Sequence, residues 1–385
     1  FETIHISVDA PVQFNSLLFI PQKSTLVFES MPTDYGLDLY VNRVLIEHKN
    51  QELIPQYLSF ISGVVDTEDL PLNLSRQAIQ ESVLIRKIRT TISKQVVNSL
   101  DKMAEKEPER YTSFWKEHGK VFKLGYTDTA NQETFARLLR FNASWHEDEQ
   151  GLASLQQYVD RMKDGQKEIY FISGPSRENI AANPHLEIFR SKGLDVLFLF
   201  EPLDEFVLQS LGTFQEMPLK AAEHVDPSEL ESFTPQEESE DNKQEELSQD
   251  EEKSLDQLLR SMQDILGERV TEVRSSRRLS SSPACLVNPE SGISSQMQKI
   301  MHIMNKESSI PKQILEINPI HPLTRNLLKV HAQNPQDSFI RESTEHLFEA
   351  SLLQAGYLAD PHTLVSRSFH ILEQASTWYT ANKNT

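Results

Sequence analysis

The stretch on which the reading of this chain turns is Gly63-Val64-Val65-Asp66-Thr67-Glu68-Asp69-Leu70-Pro71-Leu72-Asn73-Leu74-Ser75-Arg76-Gln77-Ala78-Ile79-Gln80. An apolar run ends at Val65, and Asp66 to Pro71 form an acidic, turn-rich loop. Asn73 or Ser75 is placed to cap the helix whose apolar periodicity follows. Arg76 then falls in the first turn of that helix, where a cation meets the positive end of the helix dipole. Such an arginine calls for an anion. One candidate is a loop carboxylate, Asp66, Glu68 or Asp69, in an ordinary salt bridge, the usual role of charged junctions. The other is a phosphate, received jointly by unpaired backbone N–H groups and the guanidinium fork.

Outward from this stretch, 385 residues exceed one ordinary core and predict two or three domains. The balance of 38 basic against 57 acidic residues gives a net charge of -19, which repels phosphate backbones and excludes nucleic acid as a general partner. Cys285 is the single cysteine, so an intramolecular disulfide and a cysteine-rich metal site are excluded, and a reducing compartment fits. With Pro283 nearby and no histidine beside it, Cys285 reads as a buried apolar thiol. No run of apolar residues reaches bilayer-spanning length, so no membrane association is expected.

In chain order, Ile4, Ile6 and Val8 alternate and Leu17 to Ile20 form an apolar run, predicting two strands, with a third from Leu37 to Ile46. A long helix from Ala78 to Lys102 covers this sheet. Helical segments follow through Pro108 to Gly125 and Gln132 to Phe141, with Trp115 and Trp145 read as packing aromatics. Glu168 to Gly174 and Leu194 to Phe200 are continuous apolar strands around a helix from Arg177 to Arg190, which predicts a parallel pair with a right-handed crossover. The turn Gly174-Pro175-Ser176-Arg177 lacks the glycine spacing and lysine of a phosphate loop. Residues 223–254 turn acidic and polar and read as a solvated linker or insertion. An amphipathic helix from Leu255 to Leu266 ends at Gly267. Arg269 to Arg274, Arg278-Leu279 and Ala284 to Val287 then read as strands of a small sheet.

Two later stretches carry further function. Met297, Ile300, Met301 and Met304 recur at i, i+3, i+4 and i+7, one stripe on a helix between loop-like flanks. Such a stripe is core or, since thioethers adapt to many apolar surfaces, a site for varied partners. The chain closes with helices predicted over Thr324–His331, Asp337–Gly356 and Pro361–Tyr379. The last two carry Leu347, Phe348, Leu353, Leu364, Phe369 and Leu372, and have little following chain to cover them. They either fold back on the small sheet or pair with a second copy. His321 and His331 lack metal-ligand spacing, and no metal site is expected.

The words "LYVNRVLI" (39–46), "IPQYLSFISGVVD" (54–66) and "GVVDTEDLPLNLSRQ" (63–77) resemble the middle domain of the heat-shock protein 90 chaperone family. So do "FWKEHGKVFKLG" (114–125), "LLRFNAS" (138–144), "YVDRMKDGQKEIYFISG" (158–174) and "VLFLFEPLDEFVLQSL" (196–211). Further on, "LGERVTEVRSSRRLSSSPACLV" (266–287) and the turn "LEINP" with His321 resemble its C-terminal domain. The opening "DAPVQFNSLLFIP" (9–21) is similar to mitochondrial as well as bacterial members. Only the acidic segment falls outside the resemblance.

The resemblance implies an α/β (α+β) architecture, a layered α/β middle domain followed by a small α+β dimerisation domain. Its bounds would be 1–128 and 129–222 for the large and small parts of the middle domain, 223–254 for the linker and 255–385 for the C-terminal domain. It implies an ATP-dependent chaperone in which Arg76 reaches the terminal phosphate of ATP and Gln80 assists, although Gln77 stands where the family usually has glutamate. ATP with Mg would be held by an N-terminal domain preceding this chain, which by itself would neither bind nor hydrolyse nucleotide. The methionine helix would hold unfolded clients in the dimer cleft, and the last two helices would form a homodimeric four-helix bundle. A cytoplasmic location, or the mitochondrial matrix, would follow. The rivals are the transducer region of a gyrase or mismatch-repair type ATPase, which the acidic charge opposes, and an acidic scaffold without nucleotide coupling.

Overall fold

Alternation in the opening residues produces the first sheet. The computed structural model describes the chain except residues 11, 24–33, 72–81, 235–246, 290–297, 299–311, 359 and 384–385. It divides into two compact units, one of Phe1–Asn142, Gln150–Arg161 and Leu203–Leu219, the other of Ala143–Glu149, Met162–Pro202 and Lys220–Thr385. The architecture is the mixed α/β one that the sequence predicts.

In the first unit, β1 (Glu2–Val8), β2 (Phe14–Ile20), β3 (Leu37–Val41), β4 (Val44–Asn50) and β5 (Ser62–Thr67) form a sheet in the order β1-β2-β5-β3-β4. Every second residue of β2 is buried, from Phe14 to Ile20, as a one-sided core requires. The single strand expected over 37–46 is instead a hairpin. Asn42 and Arg43 both take positive φ, +50° and +67°, the turn whose twist matches that of the flanking strands. Gly63, at φ +147°, pairs with Leu18, and a Cβ there would overlap the carbonyl oxygen of Leu17.

The long helix α1 runs Val83–Lys106 and buries Ile85, Ile88, Ile92, Val96, Val97, Leu100 and Met103. It starts later than the predicted Ala78. Ser82 is extended and its hydroxyl accepts from the N–H of Ile85, so Ser82 caps this helix; Asn73 and Ser75 lie outside the described residues. With α2 (Pro108–Phe122) and α3 (Gln132–Leu138) it packs around Tyr111, Phe114, Trp115, Phe122 and Phe135. Trp115 is buried there, as expected. The Lys123 ammonium lies over its ring and pairs with Asp204 at 2.6 Å, both charges buried.

In the second unit, β6 (Ile169–Ser173) and β7 (Leu197–Leu199) are the predicted parallel pair. The crossover is not one helix from Arg177 to Arg190. It breaks into α4 (Arg177–Ala181), a 3-10 turn Pro184–Leu186 and α5 (Glu187–Ser191). Pro184 has no N–H to donate and holds Asn183 extended, which stops the first helix. Part of the segment expected to be a solvated linker is also ordered. Val225, Leu230 and Phe233 pack into the core under β6 and β7.

Helix α6 (Gln249–Leu266) begins six residues before the predicted Leu255. Ser248 and Glu251 form a capping box, and Asp250, Glu251 and Glu252 occupy the first turn, where the helix dipole favours anions. The small sheet is β8 (Val270–Ser275), β9 (Ala284–Val287) and β10 (Gln313–Ile317) in the order β8-β10-β9, with β10 parallel to β8 and antiparallel to β9. Arg278-Leu279 is therefore no strand, and the sheet's central strand begins the stretch read from sequence as a turn. All five β10 residues are buried, so no alternation advertises it. Cys285 is buried in β9, and burial raises its thiol pKa, with Glu316 adding to the effect. α7 (Pro322–Gln333), α8 (Ser338–Gln354) and α9 (His362–Lys383) follow.

Candidate functional site

Arg76 and Gln80 lie outside the described residues, as do Met297, Ile300, Met301 and Met304. The acidic loop leading towards Arg76 is described up to Pro71 and is firmly held. Asp66 Oδ1 accepts the N–H of Arg43 at 3.0 Å, and Asp69 Oδ2 accepts that of Gln13 at 2.7 Å. Thr67 Oγ1 donates to the Gln13 carbonyl at 2.7 Å and accepts the Asp69 N–H at 3.2 Å. Asp66 and Asp69 thus serve the turns of their own sheet. Beside the methionine stretch, Gln298 is described, and its Oε1 accepts the Tyr357 hydroxyl at 3.1 Å.

The helix pair at the end of the chain is the part of the expected site that is fully in view. Phe339, at the start of α8, meets Trp378, near the end of α9, edge to face with centroids 5.6 Å apart. Arg367 donates twice to Glu349, at 3.2 and 3.3 Å, and His370 lies 3.6 Å from Glu342. These pairs run in opposite directions along the two helices, which makes the hairpin antiparallel. One face of α8 folds back on the small sheet. Ile340, Leu347, Phe348 and Leu352 join the core with Leu255, Met262, Leu315 and Leu327.

The six residues expected at a dimer interface therefore divide. Leu347, Phe348 and Leu364 are buried within the chain, whereas Leu353, Phe369 and Leu372 are 51%, 67% and 63% exposed. On α9, Val365 and Tyr379 are exposed with Phe369 and Leu372. Positions 365, 369, 372, 376 and 379 step by 4, 3, 4 and 3, the spacing of a coiled-coil seam, interrupted by Ser376. Val365 and Tyr379 were not among the expected interface residues, although this alternation of steps was legible.

Among the described residues, no cluster of three or more His, Cys, Asp or Glu could hold a metal ion. His321 caps α7, its Nδ1 accepting the Leu323 N–H, and His331 bonds Ser261 Oγ at 2.9 Å. Trp145 is half-buried against His146. No helix among the described residues is long and apolar enough to cross a membrane.

A mixed α/β chain ending in a small sheet and an apolar-faced helix hairpin is the class of protein these elements define. The family model described as Hsp90 protein matches residues 1–384, and the chain belongs to the Hsp90 family. Chaperone protein HtpG of Oleidesulfovibrio alaskensis is 50% identical over 380 residues, covering 98% of this chain and 59% of that protein. Chaperone protein HtpG of Nitratidesulfovibrio vulgaris is 46% identical over 379 residues, with 98% and 59% covered. That of Chlorobaculum tepidum is 39% identical over 380 residues, with 97% and 58% covered. The chain thus spans 59% of the length of the first two relatives. Family membership displaces the gyrase-type transducer reading.

Proposed function

We propose that this chain is the client-holding and self-associating part of an ATP-dependent, dimeric cytoplasmic chaperone. The observation that carries the reading is the exposed seam of Val365, Phe369, Leu372 and Tyr379 on α9, with Leu353 exposed on α8. A second copy related by a two-fold axis presents the same seam, and the two hairpins close into a four-helix bundle that removes both apolar lines from water.

In this reading ATP, with Mg, is bound by the share of the relatives' length that this chain does not span. Bound there, it would supply the terminal phosphoryl group that is transferred to water, whose oxygens carry negative charge throughout. Arg76 contributes a fixed positive charge towards that phosphate and Gln80 a hydrogen bond, and such groups lower the barrier because they are oriented before the reaction begins. The turn of Asp66, Thr67 and Asp69 anchors the chain ten residues before Arg76. Met297, Ile300, Met301 and Met304 form the adaptable apolar stripe that accepts clients.

Two measurements on the chain as it stands test this reading. Sedimentation velocity should return twice the chain mass, and the chain should suppress aggregation of a heat-unfolded protein such as citrate synthase. Replacing Met297, Met301 and Met304 by Ser should weaken suppression with the dimer intact. A monomer without suppression overturns the proposal, and loss of folding in the triple variant would make those methionines core.

A further inference from the structure

Among its described residues the second unit contains three apolar clusters, one under β6 and β7, one between the small sheet and α6, α7 and α8, and a small one of Leu279, Cys285, Val287 and Ile314 on the small sheet. Between the β6–β7 lobe and the small sheet, buried polar contacts gather at one turn of the crossover, His185 to Glu187, with an exposed Arg277–Glu231 pair at 3.7 Å elsewhere. The carboxylate of Glu187 accepts three successive backbone N–H groups, from Ser280 at 2.6 Å, Ser281 at 2.9 Å and Ser282 at 3.0 Å. The hydroxyls of Ser281, at 2.9 Å, and Ser280, at 3.3 Å, donate to it as well. Consecutive amides aimed at one anion form a nest, and bonds to a charged acceptor are stronger than neutral ones. Burial works to raise the pKa of Glu187, but these bonds outweigh it and hold the carboxyl below its ordinary range.

Two residues earlier, His185 Nε2 donates to the Leu286 carbonyl at 3.0 Å, which leaves Nδ1 to accept from Arg278 Nη1 at 3.3 Å. Arg278 in turn donates through Nε to Glu316 at 3.0 Å, and Glu316, in the middle of β10, also receives Arg274 at 2.7 Å and Ser276 Oγ at 2.9 Å. One turn of the crossover therefore grips the loop 276–283, the neighbouring strand and, through Arg278, the central strand. A joint of this kind is directional. A carboxylate in a nest of three amides has one seat and is either in it or out.

We propose that Glu187 is a positioning residue: with His185 it seats loop 276–283 so that the small sheet, and the α8–α9 hairpin packed on it, moves as one body with the β6–β7 lobe, and without that carboxylate the sheet swings. This rests on the function proposed above only in its consequence, that movement of the α/β part of each chain reaches the cleft between two copies.

The test uses the full chain with spin labels on Lys167→Cys, beside β6, and Lys329→Cys, on α7, diluted with unlabelled chain so that distances within one chain are read. Cys285 is buried and stays unlabelled. The parent should give one narrow distance. Glu187→Gln keeps the shape but sets an NH2 group against donor N–H groups, and should widen the distribution roughly twofold. The amides of Ser280, Ser281 and Ser282 should then exchange roughly tenfold faster with solvent. Glu187→Asp, which keeps the charge and withdraws it by one carbon, should fall between and serves if the Gln variant does not fold. A lowered melting temperature with a parent-like distance width would make Glu187 merely structural and overturn the proposal. Sedimentation is read in parallel: a monomer with the distance changes intact refutes the dimer reading and leaves the joint standing.

Discussion

The exposed seam of α9 allows its contribution to self-association to be estimated before measurement. Full burial of a Phe or Leu side chain is worth about 1.5–3 kcal/mol relative to leaving it in water. Phe369 and Leu372 are 67% and 63% exposed in the single chain, so roughly two-thirds of that gain awaits a partner, about 1–2 kcal/mol for each side chain. A two-fold interface uses each residue twice. Replacing both by Ser therefore removes about 4–8 kcal/mol, or three decades or more of dissociation constant at about 1.4 kcal/mol per decade. The single chain should hardly notice, because substitutions at exposed sites usually stay within about 0.5 kcal/mol. Sedimentation velocity across a dilution series, with far-ultraviolet circular dichroism as the folding control, reads both effects. A Phe369→Ser, Leu372→Ser chain that keeps its helical signal but sediments as a monomer at ~1 µM meets the expectation. A folded double variant that dimerises like the parent would refute the seam, and would direct attention to another surface.

Three further outcomes follow from the same structure. Arg278→Met leaves Glu316 buried with one of its two cations removed, and should cost about 3–5 kcal/mol, read as a lowered melting temperature of the C-terminal part; an unchanged melting temperature contradicts the buried network. His185 is held neutral by burial, with the nearby Arg278 charge adding to the effect, and its pKa falls from 6.5 to about 3. The folded state binds the proton less readily than the unfolded one, so this contribution to stability is whole above pH 6.5 and declines as pH falls towards 3, by roughly 1.4 kcal/mol per unit. A urea titration series from pH 7 to 5 should show that slope in the parent and lose it in His185→Asn; equal slopes would reject the assignment. Joining this chain to the rest of a relative's length and replacing Arg76 by Ala should lower ATP turnover by roughly 10²-fold or more, and undiminished turnover would sink the phosphate role.

Where sequence reading succeeded, the signal was periodic or compositional. Alternation at Ile4, Ile6 and Val8, the apolar runs at 17–20, 169–173 and 197–199, and the helical stripe Ile88, Ile92 and Val96 each mark an element that meets a core, although Val83, read as part of that stripe, is exposed. Where it failed, the deciding interaction was either very local or wholly tertiary. The hairpin at Asn42-Arg43 depends on two left-handed residues that no hydrophobic pattern encodes. The start of α1 was misplaced because several capping residues precede the apolar stripe and only backbone geometry selects Ser82. The early start of α6 hides in an acidic run that looks like linker until Ser248 and Glu251 close on each other. Strand β10 escaped notice because both its faces are covered, which removes the alternation that marks a half-buried strand.

For the site the division is of the same kind. The sequence alone determined that the last two helices are amphipathic, that α9 carries apolar residues at 365, 369, 372 and 379, and, through a run of matching words, which chaperone family this is. It also singled out Arg76 and the methionine stripe by the rarity of their local chemistry. Only the tertiary structure decided which apolar residues are already spent, since a side chain's burial depends on neighbours distant in the chain: Leu347, Phe348 and Leu364 are inside, Leu353, Phe369 and Leu372 outside. It likewise brought Glu187 to Ser280, across 93 residues, because a nest of amides is a property of backbone direction and leaves no mark in the side-chain pattern.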